Sequence, residues 1–121
     1  MQAIKPDPKS LRQWPSIRDT PGYVVLSGEP VARGRLDVGN FDSTVRAGIW
    51  TCSEGSFECT EVGDELQTIV KGRLRITETD GTTHEFIAGD SFFTHKGERL
   101  IWNIIEAVEK IFFTYNCDGK D

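Results

Sequence analysis

The stretch LQTIVKGRLRITETDGTTHEF, residues 66–86, decides the fold class. It contains three short alternating runs: Leu66–Val70, Leu74–Thr77 and Thr83–Phe86. Lys71-Gly72 separates the first two, and Asp80-Gly81 the last two. On a strand, successive side chains point to opposite faces, so alternation of apolar and polar residues marks a half-buried strand. An Asp-Gly pair between such runs is a strong hairpin signal, because both turn positions accept positive φ. The segment therefore reads as strands joined by tight turns.

The same grammar extends in both directions. Gly89-Asp90 precedes a strand at Ser91-Phe92-Phe93, Lys96-Gly97 turns the chain, and Leu100–Ile105 and Val108–Tyr115 close it. Upstream, Ile49–Cys52 and Phe57–Glu61 flank Ser53–Ser56, which predicts a hairpin with Glu54-Gly55 at its tip. In that hairpin Cys52 lies opposite Phe57 and Trp50 opposite Cys59. Trp50, Cys52, Phe57, Cys59 and Glu61 then share one face. Tyr23–Leu26 is a further strand. Many short strands with Gly-based turns and almost no helical periodicity mean an all-β sandwich or barrel. Residues 1–22 hold four of the five prolines and read as an irregular N-terminal arm, expected to reach a partner subunit. Residues 23–121 read as the barrel.

The 121 residues suffice for one domain and one core. The formal charge of −5, with no basic stripe, argues against nucleic acid as a partner. No apolar run approaches the ~20 residues of a membrane span. The polar, proline-containing segment 1–12 does not read as a signal peptide, which points to the cytoplasm. Cys52, Cys59 and Cys117 form an odd set without CxxC spacing and read as reduced thiols.

The pattern Gly55-x9-Glu65-x6-Gly72, followed by Asp80-Gly81, Phe86-x2-Gly89-Asp90, Gly97, Trp102 and Lys110, resembles the small single-domain cupins. Within these it is similar to the branch of (S)-ureidoglycine aminohydrolase and the ethanolamine-utilisation cupins. The likeness covers roughly residues 46–115. It implies an all-β cupin jelly-roll, a double-stranded β-helix barrel around a central pocket. It also implies a small-molecule ligand and, as one possibility, a hydrolase or lyase activity. Metal-binding cupins place three ligands near Glu65 and one on a later strand. The corresponding positions here are Cys59, Glu61, Glu65 and Leu100. A thiol with two carboxylates would accept a divalent metal such as Zn²⁺, whereas a metal-free pocket leaves Cys59 as a buried small hydrophobe.

The residues themselves suggest two chemistries. Lys110 shares its face with Val108 and Phe112, so an inward Lys110 needs a carboxylate partner, Glu65 or Glu61. Glu61, Glu65 and Lys110 are therefore the candidate catalytic set for acid–base work on a polar metabolite. The same trio also suits a structural ion pair. Trp50, Phe57, Cys59, His95, Leu100 and Trp102 are the candidate pocket wall; His95 either reaches the mouth or stands as a surface turn histidine. A non-catalytic metabolite-binding or sensor module is the alternative to an enzyme. Leu66, Ile111, Phe113 and Tyr115 make the second face of their strands partly apolar, which predicts a homodimer packed sheet to sheet.

Overall fold

The computed structural model describes residues 1–118. Nine antiparallel strands form a curled sheet: β1 (Arg12–Gln13), β2 (Tyr23–Gly28), β3 (Ala32–Val38), β4 (Arg46–Cys52), β5 (Gly55–Thr60), β6 (Asp64–Glu78), β7 (Thr83–Ile87), β8 (Ser91–Thr94) and β9 (Arg99–Tyr115). The helical content of the described residues is a single 3₁₀ turn at Pro8–Ser10, and none of it could cross a membrane.

β9 is the spine. Its first half pairs with β5 and its second half with β4, while its other edge runs along β6. The expected hairpin between Ile49–Cys52 and Phe57–Glu61 is therefore corrected. Trp50 lies opposite Lys110 rather than Cys59, and Phe57 lies opposite Trp102. Alternation fixes which face a residue takes, not which strand it pairs with. The face assignment holds: Trp50, Cys52, Phe57, Cys59 and Glu61 are all buried.

The two runs on either side of Lys71-Gly72 form one long strand, β6, interrupted by bulges. Before the bulge the odd positions Gln67 and Ile69 are buried; after it the even positions Leu74 and Ile76 are. The irregular pairing between Ile69 and Leu74 switches the phase, so both halves of the strand face the same core. Gly72 sits there with φ +94°. A β-carbon at Gly72 would lie 2.2 Å from the Ala107 carbonyl oxygen. The Asp80-Gly81 hairpin forms as expected, pairing Thr77 with Thr83 and Arg73 with Ile87.

Residues 1–22 pack on their own barrel. β1 pairs with β3, and Ile17 joins the core. Arg35, ion-paired to Asp37 at 2.9 Å, donates hydrogen bonds to the Lys5 carbonyl and the Ser10 hydroxyl and so ties the segment down. Trp14 lies over Gly34, where a β-carbon would collide with its ring. The core fills one end of the barrel with Leu74, Ile76, Leu100 and Ile104 and leaves a hollow at the other.

Gly72→Ala should cost about 3 kcal/mol or more, since it combines positive φ with a backbone collision. Gly81→Ala, at φ +91° but with nothing within 4 Å, should cost only about 1 kcal/mol. Urea unfolding of the two variants measures the difference.

Candidate functional site

The hollow has a volume of about 560 Å³. Residues 14–21 lie along one side, and the inward residues of β4, β5 and β9 form its wall. Even-numbered residues of β9 point inward, which carries Lys110 into the wall between Val108 and Phe112. A buried ammonium requires compensating charge and acceptors. β6, directly beside it, provides both. Lys110 Nζ lies 3.0 Å from Glu65 Oε2 and donates to Gln67 Oε1. The amide nitrogen of Gln67 donates in turn to Thr94 Oγ1 at 3.0 Å. The ammonium also stands 4.7 Å from the ring centroids of both Trp50 and Trp102, within cation–π range.

Glu61 sits in the loop between β5 and β6, held by backbone bonds to Glu98 and Gly97. Its carboxyl is buried, and no ion pair reaches it among the described residues. Trp102 Nε1 donates to Glu61 Oε1 at 3.3 Å, and Cys59 Sγ approaches the same oxygen at 3.8 Å. Both donors engage Oε1. Burial, and then the neighbouring Glu65 carboxylate, push Glu61 up to about 8; Lys110 and the Trp102 N–H oppose this. The carboxyl of Glu61 therefore holds its proton well above the usual carboxylate range. Burial also pushes the Cys52 thiol up to about 12 and raises Cys59 further, so neither is a thiolate nucleophile.

With this geometry, comparison with known proteins becomes informative. The family described as EutQ-like cupin domain matches residues 39–112. The chain belongs to the EutQ-like cupin family. The EutQ protein of Clostridium difficile is similar in fold, with a TM-score of 0.63 at 22% identity over 74% of this chain and 71% of that one. A putative ethanolamine utilization protein Q from Salmonella typhimurium LT2 gives 0.70 at 17% identity, covering 98% and 94%. A DUF861 family protein from Thermotoga maritima is 27% identical over 55% of this chain and 76% of its own, with a TM-score of 0.54. No curated protein sequence matches the chain.

In this cupin, Glu61, Glu65 and Lys110 come together at the hollow, with Trp50, Phe57, Cys59 and Trp102 also in the lining. Phe57 stacks on Trp102 at 6.1 Å, and Trp50 meets Trp102 edge-on at 6.0 Å. Two expected wall residues are placed elsewhere. His95 does not reach the pocket mouth: its side chain is 71% exposed, near Asp64 and against Phe93. The Lys96-Gly97 turn carries it outward, as the bond from Lys96 N to Asp64 Oδ1 fixes. Leu100 belongs to the packed core opposite Cys59 and is not part of the lining.

The positions that the family likeness assigns to a metal do not fit one. Glu65 is committed to Lys110, Cys59 holds its proton toward Glu61, and Leu100 offers no donor. Among the described residues, no three His, Cys, Asp or Glu side chains are grouped to hold a metal. Sequence reasoning overlooked Gln67, Arg46 and the roof residues Trp14, Ile17 and Phe41. Gln67 carried a signal, being a polar residue in phase with Ile69. A tryptophan in a polar, proline-rich segment was the signal for Trp14.

The folded protein holds the Glu61 proton more tightly than the unfolded chain does. This contribution is complete below the ordinary value of 4.5 and is lost as pH rises through about 8. Glu61→Gln keeps a neutral side chain and an acceptor for Trp102. Wild-type Tm should therefore fall relative to Glu61→Gln by roughly 10 °C or more between pH 5 and 8.5. Parallel melting curves would show that Glu61 holds no extra proton.

Proposed function

We propose that the hollow of this cupin binds a small, uncharged molecule bearing amide or ureido groups, and that Glu61 passes a proton to it. The observation carrying this reading is a buried carboxyl in the hollow with no bonded cation, next to a carboxylate that has one. Beside Glu61, the Glu65–Lys110 pair cancels its own charge. A net charge desolvated next to that closed pair is costly, whereas a neutral polar group is accommodated. A ureido group suits the donors and acceptors on offer: its carbonyl accepts from Glu61, and its N–H groups donate toward Glu65. The tryptophan walls favour a flat substituent. A proton donor with a pKa near ambient pH is also well matched to general acid catalysis. The resemblance to the ureidoglycine aminohydrolase branch agrees with this ligand class and with hydrolysis as the reaction.

A binding or sensing module without turnover is the second reading. It is favoured by the engagement of Lys110 on both Glu65 and Gln67, which holds the centre of the site fixed. Thermal-shift measurements with millimolar phenylurea, benzoate and benzylammonium test the ligand class. Phenylurea should raise Tm by about 2 °C or more, and the two ions should not. Equal stabilisation by an ion, or none by phenylurea, would overturn the reading. Ammonia release from a panel of ureas, abolished in Glu61→Gln, would mark an enzyme.

We also infer a homodimer formed through the outer face. Leu66 lies opposite both Phe93 and Phe113 across the strands, and Tyr115 continues the strip; all four are exposed. Light scattering at micromolar concentration should give twice the chain mass, and Phe113→Glu the single-chain mass.

A further inference from the structure

Glu65, at a position where metal-binding cupins carry a ligand, has its Oε2 3.0 Å from an ammonium. That ammonium is only 8% exposed at its side chain and reaches Glu65 from the opposing strand β9. Gln67 and Thr94 extend the bonding behind it, and two indole rings flank it. A divalent ion entering this place would have to displace an ammonium already paired and desolvated. Besides Glu65 it would meet only Cys59 and Glu61 in the lining, with no imidazole among them.

We propose that the Lys110 ammonium is the built-in cation of this barrel: it replaces the divalent metal at Glu65 and makes the site metal-independent. Glu65 and Gln67 take two of its three N–H groups. The third is the donor that polarises a ligand oxygen, a detail that rests on the ligand class proposed above. Metal independence itself rests only on the ion pair.

The experiment separates the two. Wild type is incubated with excess Zn²⁺, Mn²⁺ or Ni²⁺, desalted, and measured by plasma mass spectrometry and thermal shift. The expected result is less than about 0.1 metal per chain and no change in Tm with either metal or EDTA. Near-stoichiometric metal, or a Tm lowered by EDTA, would overturn the proposal even if phenylurea still binds. Lys110→Ala removes the ammonium and leaves Glu65, Glu61 and Cys59 without it. This variant should gain thermal stability from Zn²⁺ or Mn²⁺ that wild type does not gain, a response absent if Lys110 served packing alone. Lys110→Arg, which keeps the charge, should remain metal-insensitive. If the alanine variant does not fold, the wild-type metal content and the arginine variant decide the question. Loss of phenylurea binding in metal-free wild type would count against the ligand class, not against the cation.

Discussion

An ammonium placed within an apolar strand face is the constraint around which the molecule is arranged. β9 runs for 17 residues with its even positions inward, and that register carries Lys110 into the barrel along with Trp102, Val108 and Phe112. An unpaired charge there would cost several kcal/mol. The strand alongside must therefore bring Glu65 and Gln67 to the same level. It does so in the stretch before the bulge, and the change of phase after Ile69 then turns Leu74 and Ile76 to the same interior. The bulge at Gly72 lets one strand place polar groups against Lys110 and apolar groups against Trp102 and Ile104.

This arrangement separates two chemically identical side chains. Glu65 receives the cation, and among the described residues Glu61 receives an indole N–H and a thiol. Two carboxylates and one ammonium in a desolvated space favour keeping one carboxyl neutral. The environment thus makes one glutamate a counter-ion and raises the proton affinity of the other. The indole of Trp102 links both roles, since its N–H meets Glu61 and its ring face meets Lys110.

Much of this was legible in the sequence because it depends on local rules. Asp80-Gly81 specified its hairpin through backbone conformation, and alternation put Trp50 with Cys52, and Phe57 with Cys59, on one face of each run. Pairing partners were not legible. Whether β4 meets β5 or β9 is decided by long-range closure of the sheet, and no short segment records it. The split between Leu100–Ile105 and Val108–Tyr115 was likewise bridged by pairing with β6. His95 went astray because a turn residue has no alternation to follow. Trp14 and Ile17 were missed because their burial comes from a segment laid across the barrel, which composition reads as irregular.

The chain has three tryptophans, and Trp14, Trp50 and Trp102 all line the hollow. Its tryptophan emission therefore originates entirely at the hollow. Colour and lifetime of that emission follow the polarity around the indoles and the ammonium beside two of them. Occupancy of the chamber is thus written into an optical property of the unlabelled protein, undiluted by distant chromophores of the same kind.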